Sequence, residues 1–232
     1  MTVDQSAYQA SGFAVASLFD PQQVRDARRD IAEHIDRVSQ ALYLPFAASC
    51  PDEPLETRLQ RIWQHDRSHA NLLRLALCTD AHRGERLQAL VNSPELKETA
   101  EQLAGQQLGG SVVRVRASID VFLQHLHDWH SDVARDDGTD CGSVRITAWI
   151  PLGDAGPGNG GLELVTGKRA SPLLHREERG FAIPEAELEG LARLRPSCPA
   201  GSALFLDRFT PHRSLPAGAD ARFALVVWMK AA

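Results

Sequence analysis

Paired cysteines, surplus positive charge and long apolar runs are all missing from this 232-residue chain. Its four cysteines, Cys50, Cys78, Cys141 and Cys198, are scattered with no CxxC pair, which excludes a disulfide framework and a cysteine zinc knot. Lys and Arg number 25 against 30 Asp and Glu, a formal charge of −5, so the basic surface that phosphate-backbone binding needs is lacking and no nucleic-acid partner is expected. No apolar stretch approaches the ~20 residues of a membrane span. The opening MTVDQSAYQASGF has neither the basic start nor the apolar core of a secretion signal. A soluble, cytoplasmic protein with no membrane partner is therefore the expectation. With 43% hydrophobic residues the chain can bury a substantial core. No repeat, low-complexity tract or composition shift marks a linker, so a single domain over 1–232 is expected.

The hydrophobic period changes near residue 110. Before it the spacing is helical. Asp20, Pro21 and Gln23 form a capping-box start, and Val24, Ala27, Ile31, Ile35 and Val38 recur at helical spacing, predicting a helix over 21–42. A second helix is predicted over 56–78, broken near Ser68, a third over 84–92, and a fourth from Ser93-Pro94-Glu95 to just before Gly105. From Gly109 the period is two: Val113, Val115, Ala117, Ile119, Val121 and Leu123 alternate with polar residues over 111–124, and 143–152 repeats the pattern. Further strands are predicted at 161–165, 202–207 and 222–229, with turns such as Gly156 to Gly161 between them. Helices followed by five or more short strands predict an α+β arrangement, with 1–108 as helical support for one face of an antiparallel barrel or sandwich built from 109–232.

The candidate chemistry lies in two segments about 80 residues apart. Trp129-His130-Ser131-Asp132 places a histidine and a carboxylate two residues apart, so in extended chain both leave the same side. Gly201 to Asp207 is a glycine-led strand, followed by Thr210-Pro211-His212-Arg213-Ser214, and Arg222 opens the last apolar strand. Two histidines and one carboxylate on one face, with the opposite positions open, are what a non-haem Fe(II) centre requires. An arginine ten residues after His212 suits a bidentate pair with a carboxylate held beside the metal.

These segments resemble the phytanoyl-CoA dioxygenase-like branch of the Fe(II)/2-oxoglutarate-dependent oxygenases. Ser11-Gly12-Phe13-Ala14-Val15 looks like the family's N-terminal strand; Trp149 to Ala155 and Asn159-Gly160-Gly161 to Gly167 are similar to its tryptophan strand and Asn-Gly-Gly turn. Lys168-Arg169 stands where the family usually has Ser-His. The resemblance implies a double-stranded β-helix (jelly-roll, cupin-like) barrel backed by N-terminal helices. Carried over residue by residue, it implies His130, Asp132 and His212 as iron ligands and catalytic centre. Arg222 would hold the distal carboxylate of 2-oxoglutarate, helped by Ser214, with Thr147 at the same co-substrate. The implied cofactors are Fe(II), 2-oxoglutarate and O2, and the implied reaction is hydroxylation or a related oxidation, with release of succinate and CO2. The long segment 168–199 is expected to act as a lid.

Strand parity adds the substrate side. If the odd face of 113–123 packs on the helices, Arg114, Arg116, Ser118, Asp120 and Gln124 point into the barrel, and Arg145, Thr147 and Trp149 do the same from the next strand. Arg116, Gln124, Arg145 and Trp149 are the expected contacts of a small polar or acidic substrate, the one partner expected. One β-bulge would reverse this orientation. The rival readings are a cupin-like metalloenzyme without 2-oxoglutarate, such as an isomerase or simple dioxygenase; a binding protein on the same barrel; and a zinc site on the His125, His127 and His130 cluster. His34, His65, His69, His82 and His175 read as solvated, and Arg176 to Arg179 as a solvated charged face.

Overall fold

The computed structural model describes residues 3–45, 49–120, 126–132, 143–176, 182–218 and 220–232. Helix α1 (Gln5–Ser11), which sequence periodicity did not reveal, ends at Gly12 in the left-handed region (φ +81°). A Cβ there would sit 2.7 Å from Thr210 Oγ1, so only glycine lets the chain turn this close to the sheet. Helix α2 (Pro21–Ala41) begins with the expected capping box and buries Val24, Ala27, Ile31 and Ile35. The helix predicted over 56–78 is two, α3 (Leu55–His65) and α4 (Arg67–Asp80). The break is at Asp66, whose extended backbone stops α3 while its carboxylate accepts from Ser68 and His69 N–H and caps α4. Helices α5 (Glu85–Val91) and α6 (Pro94–Ala104) follow.

Strands β1 (Phe13–Ser17), β2 (Leu108–Ser118), β3 (Val144–Pro151), β6 (Ser202–Asp207) and β8 (Arg222–Ala231) form an antiparallel sheet in the order β1-β6-β3-β8-β2. Strands β4 (Leu162–Val165), β5 (Arg193–Leu194) and β7 (His212–Ser214) form a second, in the order β5-β4-β7. Strand β2 stops at Ser118, short of the predicted 124, and residues 121–125 lie outside the described residues.

The large sheet is buried on both faces. Val113, Val115, Ile146, Ile150, Phe205, Leu225 and Val227 pack against the helices, while the alternate residues Trp149, Leu204, Leu206, Ala224 and Val226 pack against Leu162 and Leu164 of the small sheet. That double burial explains why β8 reads as an almost unbroken apolar run. The fold is α+β, a double-stranded β-helix whose two sheets face each other without closing into a barrel among the described residues, with helices backing the large sheet.

Two histidines expected in solvent are interior. His34 on α2 is 5% exposed, donates from Nε2 to the Ala76 carbonyl at 3.2 Å and accepts from Arg37 at Nδ1. His175 is 3% exposed. Burial holds both below the usual histidine range.

Candidate active site

His130 and His212 are joined through the backbone before their side chains meet. His130 N donates to the His212 carbonyl at 3.0 Å and His212 N to the His130 carbonyl at 2.8 Å, so the 126–132 segment adds an antiparallel rung beside β7. The rung sets the two imidazole centroids 4.3 Å apart. Asp132, two residues on, returns to the same side. Its Oδ1 is 3.8 Å from His130 Nε2, its Oδ2 is 3.8 Å from His212 Nε2, and the three ligand atoms all lie within 4.8 Å of one another.

Each imidazole has its other nitrogen committed. His130 Nδ1 donates to the Asp128 carbonyl at 2.6 Å and His212 Nδ1 to the Thr210 carbonyl at 3.1 Å. A carbonyl can only accept, so the protons sit on Nδ1 and both Nε2 atoms present lone pairs to one point. Burial, reinforced by His212, pulls His130 down to about 3, keeping it neutral. Burial opposes ionisation of Asp132, yet the two imidazoles hold its carboxyl below the usual range. Asp132 Oδ2 is buried without a hydrogen-bond donor. Two neutral nitrogens and an unsatisfied carboxylate, converging with no protein donor between them, fit a divalent first-row metal that prefers nitrogen and oxygen ligands.

The segment expected to be a lid braces this loop. Ser131 N donates to His175 Nε2 at 3.0 Å, and His175 Nδ1 donates to the Leu173 carbonyl. Ile183 N donates to the Trp129 carbonyl at 2.6 Å. The Trp129 ring, 1% exposed, lies 4.8 Å from the Arg213 guanidinium and 5.2 Å from that of Arg193. Glu163 in turn binds Arg213 and Arg195 at 2.7 and 2.8 Å. Outer contacts of this kind fix ligand orientation.

A half-enclosed cavity opens beside the three residues. Arg222 faces it, 6% exposed, donating from Nη2 to Ser118 Oγ at 2.9 Å while its Nε and Nη1 have no partner. Its guanidinium lies 5.0 Å from the Trp149 ring, and burial lowers it to about 10. Gly160 makes room for it, since a Cβ there would lie 2.9 Å from both Arg222 Nε and Ala217 Cα. Thr147 Oγ1 is likewise buried without a partner, and Ser214, Trp149 and Arg116 line the same space.

The remaining site candidates go elsewhere. Arg145 is not among the lining residues; a bulge between Val144 and Ile146 breaks the alternation, and its guanidinium donates to the Val144 carbonyl. Asp120 accepts from Gly218 N, Arg114 donates to the Val113 carbonyl, and neither lines the cavity. Gln124 and His125 lie outside the described residues. His127 lines both the cavity and the open cleft beside it, and desolvation, with Arg116 nearby, pulls it down to about 4.

Sequence reasoning missed Arg74, Cys78 and Trp228, which also line the cavity. Arg74 had a signal: it is a charge inside the apolar stripe of α4, among Ala70, Leu73 and Leu77. Trp228 continues the even-numbered face of Arg222 and Val226 on β8.

No protein-family profile matches the sequence, and no curated protein is similar enough to count as a relative. Solved structures share the fold. The apo form of ThoJ, a non-heme monooxygenase, superposes with a TM-score of 0.64 at 16% identity, covering 98% of this chain and 77% of its own. SnoK, a non-heme alpha ketoglutarate dependent carbocyclase from nogalamycin biosynthesis, gives 0.62 at 17%, covering 98% and 83%. The epimerase SnoN, in complex with Fe3+, alpha ketoglutarate and nogalamycin RO, gives 0.59 at 17%, covering 98% and 82%.

Proposed function

We propose that this protein is a non-haem Fe(II) enzyme that consumes 2-oxoglutarate and O2 to oxidise a small polar metabolite or natural-product intermediate, by hydroxylation or a related oxidation, with release of succinate and CO2. The observation that carries the reading is the pairing, in one cavity, of the convergent His130, Asp132 and His212 ligand atoms with the buried and largely unsatisfied Arg222. An unpaired buried cation calls for an anion, and a fork with Nε and Nη1 open suits a carboxylate. The likeness to structures described as dependent on alpha ketoglutarate supports the choice of co-substrate. A single domain over 1–232 accords with their 98% coverage of the chain.

In this reading His130, Asp132 and His212 would hold Fe(II), which with 2-oxoglutarate would supply the chemistry of dioxygen activation. The bound iron and co-substrate supply an oxidant able to take hydrogen from an unactivated carbon. The chain's own part is placement. Arg222 and Ser214 grip the distal carboxylate, Thr147 offers its unpartnered hydroxyl to the co-substrate, Trp149 closes the apolar wall beneath it, and the Nδ1 bonds keep both imidazoles in the ligating tautomer.

Anaerobic addition of Fe(II) and 2-oxoglutarate should produce a weak visible charge-transfer band, and admission of O2 should yield succinate. Iron binding without any response to 2-oxoglutarate would favour instead the metalloenzyme that does not use the co-substrate.

A further inference from the structure

The charge lining the cavity is lopsided. Arg222, Arg116 and Arg74 face it, and Asp132 is the single carboxylate among the described residues that line it. Among the described residues the lining therefore has two more arginines than carboxylates. Resting on the proposed function, Fe(II) and a 2-oxoglutarate dianion add equal and opposite charges, so the excess remains after both have bound.

Arg116 occupies a position separate from the co-substrate arginine. In the β2–β8 register Ser118 faces Arg222 and Arg116 faces Ala224, which sets Arg116 two residues, about 7 Å, further along the same strand face. Among the described residues no side chain or backbone group forms an ion pair or hydrogen bond with its guanidinium, which lies over the face of Trp228 at 5.8 Å. Strand β2 is the outermost of the large sheet, and α4 packs against it. From that helix Arg74, 8% exposed, lines the same cavity, braced by two hydrogen bonds to Asn71 Oδ1 at 3.3 and 3.2 Å. Burial lowers Arg74 and the charge of Arg116 lowers it further, so the two guanidinium groups sense each other. A guanidinium that faces a half-enclosed space without an ion-pair partner, as that of Arg116 does among the described residues, calls for an anion.

We propose that Arg116 and Arg74 form a substrate-recognition pair, distinct from the Arg222 co-substrate site, and that the substrate is a small molecule carrying one or two negative charges as a carboxylate or phosphate ester. Arg116 supplies an open planar fork for a bidentate contact, and Arg74 contributes charge from the helix side.

The test is binding, read by thermal shift and titration calorimetry on anaerobic protein loaded with Fe(II) and 2-oxoglutarate. Small carboxylic acids are compared with their own primary amides, and phosphate monoesters with their parent alcohols. We expect acids or phosphates to bind at least tenfold more tightly than their neutral twins; the arm that responds identifies the anion. R116Q should erase that preference, R116K should restore part of it, and both should leave 2-oxoglutarate affinity within about twofold of wild type. Equal binding of charged and neutral twins, or an anion preference that survives R116Q, overturns the proposal. So does a loss of 2-oxoglutarate affinity in R116Q as large as that in R222Q, because Arg116 would then serve the co-substrate. Failure of wild-type protein to bind 2-oxoglutarate at all would instead count against the proposed function, and is seen before any twin is added.

Discussion

The two faces of the large sheet are made by alternate residues of the same strands, yet they are built to opposite rules. On the helix side, Phe205, Leu225, Ile146 and Val115 are fully buried among apolar neighbours. On the side facing the small sheet, Thr147, Arg222 and Arg116 interrupt the apolar wall, and several polar atoms are left without partners. Fully burying a large apolar side chain contributes roughly 1.5–3 kcal/mol, whereas an unsatisfied buried polar group costs about 1–3 kcal/mol. One face therefore holds the fold, and the other spends part of that stability on groups that only a ligand can satisfy.

The sharpest way to break the contrast is at Asp132. D132A should abolish Fe(II) binding and turnover, because a three-point clamp loses affinity and geometry together, while the metal-free protein keeps its melting temperature or gains a little, having lost a buried carboxylate. Calorimetric titration and a thermal scan check both halves. Next, F205A on the helix face should destabilise the fold by about 3–5 kcal/mol, seen as a lower denaturant midpoint. A loss of the same size from D132A in the metal-free protein would erase the distinction between the faces.

R222L sharpens the comparison from the cavity side. Co-substrate affinity should fall by about two orders of magnitude, close to 3 kcal/mol, with Fe(II) affinity little changed. The smallest effect expected is that of pH. Burial holds His34, His127 and His175 below the value of about 6.5 they regain on unfolding. Below that value the unfolded chain binds protons that the folded chain refuses, so stability falls as the pH falls, from about 6.5 down to about 4, where folded His127 takes up its proton. The metal-free protein should lose several degrees of melting temperature between pH 7 and pH 5. H34Q should flatten that slope, and an unchanged slope would remove His34 from the account.

Much of this was legible in the chain because the signals are local. The capping box at Asp20 and the glycine after α6 act within a few residues, and the helix boundaries they imply fall where those helices begin and end; the break expected near Ser68 lies at Asp66. Strand parity is equally local, and it placed Arg116, Thr147 and Trp149 on the cavity side. It failed at Arg145, where one bulge shifts the register between Val144 and Ile146. It was also silent on α1, too short and too polar to show a period.

By itself the sequence determined which residues share a face, and with that the spacing of His130 and Asp132 and the apolar stripes that make helices pack on a sheet. Only the tertiary structure decided which faces meet. The strand order β1-β6-β3-β8-β2 puts Arg222 beside Ser118, more than a hundred residues away in the chain. Folding of α4 against the edge strand brings Arg74 to the cavity, and the path of the chain at Leu173 to His175 turns a histidine expected in solvent into the acceptor for Ser131 N. Periodicity records the direction of a side chain relative to its own element; its partner across the gap depends on connections that carry no period.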